Sequence, residues 1–273
     1  MTFRSNLHSH SVFSDGANTL EEMVLAAVGK GFVSLGISEH AWASYDSDCC
    51  IGQELIPVYL REMAALKKRY AGQIELYTGF ESDYYHPAAK DGLDFTIGSV
   101  HYLRDEKSGA YYTVDHLPEL FELARDRVAG GDIRRMVALY YSLVTDMAVR
   151  YRPDILGHID LVTKLNRDGC YFDEDSGWYR QLTAETAAKI AASGCIVEVN
   201  TGGIYRGFRT RPYPSAPFLV QLRKQGAAVT ISSDAHCADA LDFWFLEAAR
   251  LLKETGFTTV KRMQKGSFVD VPL

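Results

Sequence analysis

The sequence is short of cysteine, of long apolar runs and of net basic charge, and each shortage narrows the range of functions. Its five cysteines (Cys49, Cys50, Cys170, Cys195 and Cys237) are odd in number and show no C-x-x-C spacing. That argues against a disulfide framework and points to a reducing, cytoplasmic setting. No stretch approaches the roughly 20 apolar residues needed to cross a bilayer, so no membrane association is expected. The opening MTFRSNLHSH lacks a basic segment followed by an apolar one, so no signal peptide is expected either. The net charge is −6, and no run of Lys and Arg forms a stripe. This disfavours a nucleic-acid partner, because such binding rests on clustered neutralisation of phosphates. What is present is ordinary for an enzyme: 273 residues, 47% of them apolar and 23% charged, enough to bury a large core.

Short apolar runs alternate with longer amphipathic ones along the chain. The runs at 4–8, 34–38, 74–80, 95–100, 155–159, 196–200 and 229–233 read as strands covered by helices on both faces. The segments 19–30, 54–70, 117–128, 133–150, 184–193, 216–225 and 241–254 read as helices. Thr19 and Glu22 have the spacing of a capping box, and Gly31 is a plausible stop. Continued strand–helix alternation implies a parallel α/β sheet. With no linker and no repeat, a seven-stranded barrel in one domain over 1–273 is expected, with an open sheet as the alternative.

Functional residues of a parallel barrel gather where its strands end. Here the strand ends supply His8 and His10, with Asp15 in the next loop, then Glu39 and His40, Glu81, His101, His158, Asn200, and finally Asp234 and His236. Six of the eight histidines lie at these ends; His86 and His116 do not. His8 and His10 are i and i+2 on a strand, so both project from one face, as do Asp234 and His236 if that strand stays extended. A lone strand-end histidine is more often a hydrogen-bonded polar residue than a ligand, and Asp15 in SDG suits a turn. Recurrence at several separate strand ends is what favours a metal site. Imidazole with carboxylate suits Zn, Mn or Fe, whereas calcium wants oxygen ligands alone.

The segments His8-Ser9-His10, Asp15-Gly16, Ser38-Glu39-His40, Gly79-Phe80-Glu81, Gly98-Ser99-Val100-His101, Gly157-His158 and Ser233-Asp234-Ala235-His236 occur in this order over nearly the whole chain. In this the chain resembles the PHP superfamily, and more narrowly the PHP-type histidinol-phosphate phosphatases of histidine biosynthesis. The resemblance implies a distorted (β/α)7 barrel with three divalent metal ions at the strand C-termini. One metal would take His8, His10, Glu81 and Asp234. A second would share Glu81 and add His101 and His158, and a third would take Asp15, His40 and His236. It also implies a phosphomonoesterase, with a hydroxide held between two metals as nucleophile. Glu81, Asp234 and His236 are then expected to bear most directly on catalysis.

A phosphate dianion should also meet cationic side chains. Lys164, Arg167, Arg206, Arg209 and Arg211 follow the fifth and sixth strands, and Arg206 and Lys164 are the expected substrate contacts. Selectivity for an imidazole-bearing alcohol would need a carboxylate or aromatic in the long loops, with Trp42, Asp83 and Tyr84 as candidates. The rival readings are a PHP phosphoesterase for another small phosphorylated substrate, a non-catalytic metal-binding barrel, and an amidohydrolase-like barrel, which also uses an H-x-H pair on its first strand.

Overall fold

Strands rich in β-branched and aromatic residues, each buried on both faces, require cover from all sides, and a ring of helices provides it. The computed structural model describes residues 3–273. Its strands are β1 (Ser5–Asn6), β2 (Ser34–His40), β3 (Glu75–Asp83), β4 (Phe95–Ser99), β5 (Tyr102–Arg104), β6 (Tyr111–Thr113), β7 (Ile155–Leu156), β8 (Ile196–Asn200), β9 (Val229–Ser232), β10 (Thr259–Gln264) and β11 (Ser267–Pro272). One seven-stranded sheet runs β1-β2-β3-β4-β7-β8-β9, and all its pairings are parallel. A parallel bridge between Ser9 and Ala235 joins its two edges and brings the sheet to a nearly closed barrel. The open-sheet alternative is thereby excluded.

Strand register brings the polar strand ends together. His40 lies opposite Glu81, and Asp83 opposite Ser99, so the polar ends of neighbouring strands come level at one mouth of the barrel. The opposite end is apolar. Leu7, Tyr77, Phe95, Ile97, Ile155 and Ile196 fill the interior, and Met263 and Phe268 of a C-terminal hairpin close it from below. The Phe95 ring fits only because β2 and β3 carry glycines beside it. A Cβ on Gly36 or Gly79 would lie 2.7 or 2.6 Å from that ring. The larger core lies between sheet and helices.

Several boundaries differ from the sequence reading. The first strand ends at Asn6, so His8 and His10 stand just beyond it on either side of the Ser9 bridge. The helix expected at 184–193 begins at Gly177, because Trp178, Tyr179 and Leu182 pack on the core without forming a single apolar stripe. The helix expected over 133–150 is α-helical at Ile133–Asp146 and ends in a wider π-type turn, Met147–Tyr151. The helix expected from Leu241 starts only at Phe245. The hairpins β5–β6 and β10–β11 were not anticipated. The capping box does form: Glu22 N–H donates to Thr19 Oγ1, and Thr19 N–H donates to Glu22.

Candidate metal centre

All nine expected ligands meet at the polar mouth. Glu81, from within β3, is the hub. Its Oε2 lies 3.0 Å from His8 Nε2, 3.1 Å from His40 Nδ1 and 3.6 Å from His10 Nε2. Its Oε1 lies 2.9 Å from His158 Nε2 and 3.5 Å from His101 Nε2. Asp234 Oδ1 stands 3.3 Å from His10 Nε2 and 3.5 Å from both His8 Nε2 and His236 Nδ1. Asp15 reaches in from its loop, 3.0 Å from His236 Nε2 and 3.7 Å from His40 Nε2. Three groups have ligand atoms within 4.8 Å of one another: His8, His10, Glu81 and Asp234; Glu81, His101 and His158; and His10, Asp15, His40 and His236.

The pairing Asp234/His236 does not come from an extended strand. β9 stops at Ser232, and Asp234 takes the left-handed conformation at φ 49°. An aspartate there is strained by roughly 1–3 kcal/mol, the kind of distortion that clusters at functional sites. Asp234 backbone oxygen lies 2.9 Å from His236 Nδ1, so the strained turn also fixes the second ligand.

The donor atoms fit divalent cations better than they fit each other. His8 Nε2, both ring nitrogens of His10, and Glu81 Oε2 are buried and make no hydrogen bond among the described residues. Buried polar atoms without partners cost roughly 1–3 kcal/mol each, so several in one place call for a ligand. Charge points the same way. Burial works against ionised Glu81 and Asp234, yet the surrounding histidines, and Arg206 beside Asp234, hold both well below the usual carboxylate range. Burial also opposes a charged His8, but Glu198, Glu81 and Asp234 outweigh it and raise its pKa well above the ordinary value. His10, pressed by burial and by His40 and His236, falls to about 3 and stays neutral, the state in which imidazole coordinates.

Buried carboxylates stand behind the candidate ligands. Glu198, fully buried in β8, accepts from His8 Nδ1 at 2.6 Å, from His158 N–H at 2.8 Å and from Ser232 Oγ. The sequence reading missed it, although a lone glutamate inside the apolar run IVEVN was the signal. Asn200, the strand end without a ligand, donates to Glu198 at 2.9 Å and accepts from Gly202 N–H. Glu39, also fully buried, takes hydrogen bonds from the Ser11 amide and from the hydroxyls of Ser11 and Ser14, and so holds the turn that presents Asp15. Burial raises its pKa against those bonds.

A cavity of about 270 Å³ opens onto the centre. Besides the candidate ligands His40, Glu81, His101, His158, Asp234, His236 and Asp15, its wall includes Asp46, Tyr102, Asp115, His116, Lys164 and Arg206. Arg206 Nη2 donates to Asp234 Oδ2 at 2.8 Å, and Lys164 Nζ pairs with Asp115 at 2.9 Å. The other three cations are elsewhere: Arg167, Arg209 and Arg211 line a separate cavity of about 570 Å³ that contains none of the ligands. Arg209 and Arg211 both pair there with Glu174. Trp42, Asp83 and Tyr84 do not line the reaction cavity either. Trp42 meets His86 edge-on, Tyr84 donates to Asp146, and Asp83 sits behind His101, accepting its amide at 2.8 Å. Asp83 and Glu81, against burial, push His101 up to about 10.

A histidinol-phosphatase of Bacillus subtilis is 29% identical over 259 residues, covering 85% of this chain and 92% of that one. A Schizosaccharomyces pombe protein named "Probable histidinol-phosphatase" is 25% identical over 97% of this chain and 90% of its own length. Among solved structures, a histidinol phosphate phosphatase of Lactococcus lactis, complexed with zinc, L-histidinol and phosphate, superposes with a TM-score of 0.74. It is 21% identical and covers 98% of this chain and 99% of that one, a likeness of fold. A family model of the PHP domain matches residues 6–202, well over half of the chain. The strand-end ligands, their register and this match together establish that the chain belongs to the PHP domain family.

Proposed function

We propose that this chain is a metal-dependent phosphomonoesterase that hydrolyses histidinol phosphate to histidinol and phosphate. The observation that carries the reading is the meeting of three ligand groups, two of them sharing Glu81, at a cavity of small-molecule size that also holds Arg206 and Lys164. The choice of substrate rests on the relatives that bear the name histidinol-phosphatase along most of their length. We read residues 1–273 as one catalytic domain, acting in the cytoplasm, where the five free cysteines would stay reduced.

Three ions suit the three groups, with Zn, Mn or Fe as the metals that imidazole and carboxylate together favour. His8, His10, Glu81 and Asp234 would hold one, Glu81, His101 and His158 another, and Asp15, His40 and His236 the third. Bound divalent ions at such a site activate water at neutral pH and offset charge on the phosphoryl oxygens. The chain's own residues do the rest. Arg206 and Lys164 place cationic donors on the cavity wall for the phosphate oxygens, where guanidinium binds two oxygens at once. Glu198 fixes the ring orientation of His8, and Asp83 holds the backbone amide of His101. Burial of Glu81 and Asp234 keeps bulk water from competing for the charges they carry.

The test is phosphate release by protein stripped with chelator and reloaded with zinc, manganese or iron. Histidinol phosphate, a nucleotide monophosphate and a phosphotyrosine peptide are compared. Metal-dependent hydrolysis with the highest kcat/KM for histidinol phosphate is expected. Activity indifferent to chelation, or a clear preference for either other ester, contradicts the proposal.

A further inference from the structure

The lining of the cavity has an electrostatic character of its own beyond the ligand groups. Five carboxylates line the cavity, and four are already engaged: Asp15, Glu81 and Asp234 belong to ligand groups, and Asp115 is neutralised by Lys164 at 2.9 Å. The fifth, Asp46, is half-buried on the loop after β2 and has no cationic partner among the described residues. We propose that Asp46 selects a positively charged leaving group, so that the site takes phosphomonoesters whose alcohol carries an ammonium. This rests on the phosphomonoesterase reading above and deepens it.

An unpaired carboxylate beside the binding place of a phosphate dianion repels it and weakens every neutral ester alike. That penalty becomes selectivity if the substrate brings its own cation. The neighbourhood keeps the carboxylate in position. Tyr102 and Cys49 line the same cavity, and backbone bonds from the Asp46 amide to Ala43 and from the Cys50 amide to Asp46 hold the loop. Tyr45, the preceding residue, donates to Asp83 at 2.6 Å, stacks on Tyr111 at 4.0 Å and meets Tyr102 edge-on at 5.0 Å. Asp83 in turn stands behind the ligand His101, so the loop bearing Asp46 is tied to the frame of the metal centre. Arg206, Lys164 and a carboxylate without a cationic partner thus share one cavity of about 270 Å³, a volume that suits a small aminoalkyl phosphate.

The test compares two matched pairs of esters on the metal-loaded enzyme: 2-aminoethyl phosphate with ethyl phosphate, and histidinol phosphate with its deamino analogue. The wild type should prefer the ammonium ester in each pair. Asp46→Asn should lower that preference ratio by about tenfold or more, mainly through KM, as loss of a charge-assisted contact does. Bound metal should be unchanged, and Asp46→Glu should recover most of the preference. An unchanged ratio in Asp46→Asn, or loss of metal from it, overturns the assignment. If histidinol phosphate is not hydrolysed but aminoethyl phosphate outruns ethyl phosphate through Asp46, the histidinol reading fails and this one stands. If histidinol phosphate is turned over equally well by Asp46→Asn, this inference fails and the histidinol reading stands.

Discussion

The His8 imidazole depends on the carboxylate that stands behind it. A ligating histidine must present one nitrogen in a fixed direction, and a hydrogen bond at its other nitrogen sets both tautomer and angle. Glu198 does this for His8 at 2.6 Å while also accepting the backbone amide of His158, so one buried carboxylate supports ligands from two groups. Removing it frees the His8 ring and leaves the His158 amide unpaired. Glu198→Ala should therefore reduce metal affinity and activity by roughly 10–100-fold. Metal titration with a competing chelator measures the first and phosphate release the second. A variant with wild-type affinity would remove Glu198 from the account. Glu198→Gln, which can still accept from the histidine, should lose less.

At the scale of elements, strand register and loop clamping decide which ligands meet. His40 and Glu81 are level because β2 and β3 pair in that register, whereas Asp15 depends on a turn rather than a strand. That turn is held by Glu39, which collects the Ser11 amide and two serine hydroxyls in a fully buried site. Glu39→Ala strips those donors of their acceptor, a loss of roughly 1–3 kcal/mol, and lets Asp15 drift. Its expected signature is selective: the group of His10, Asp15, His40 and His236 weakens while the other two hold their metal. Elemental analysis of the purified variant reads this directly, and a full metal complement would contradict it.

The same contrast explains what the sequence could tell. Histidines and acids at the ends of apolar runs stand out because nothing in a strand core needs them, so His8, His40, Glu81, His101 and His158 were legible. Glu198 was not, because a strand reading absorbs a single polar residue inside IVEVN. The hairpin β10–β11 did carry a signal. Lys265 and Gly266 form its two-residue turn with positive φ at both positions, as a type I′ hairpin requires. Lys-Gly is a weaker cue for that turn than Asn-Gly, and the strands beside it are only partly apolar. Asp234 shows the limit of strand logic: its left-handed backbone could not be read from spacing.

At the scale of the whole molecule, a filled barrel supports an open polar mouth. Phe95 occupies the interior against two glycines, and the C-terminal hairpin closes the far end. Gly79→Ala would drive a methyl to within 2.6–2.8 Å of that ring. Overpacking of this kind costs about 1–3 kcal/mol. For a chain of this size that lowers Tm by roughly 2–4 °C per kcal/mol. Thermal unfolding of the variant measures it, and an unshifted Tm would mean that Phe95 does not fill the interior as described.

The central claim is that one carboxylate organises the metal centre. Glu81 belongs to two of the three ligand groups and touches histidines from β2 and from the segments after β1, β4 and β7. The most direct test is the number of metal ions bound per chain, measured together with phosphate release, in wild type and Glu81→Ala. The account predicts about three ions in the wild type, loss of two in the variant with the Asp15 group retained, and loss of most activity. A Glu81→Ala variant that keeps its full metal load and hydrolyses histidinol phosphate at the wild-type rate would contradict it.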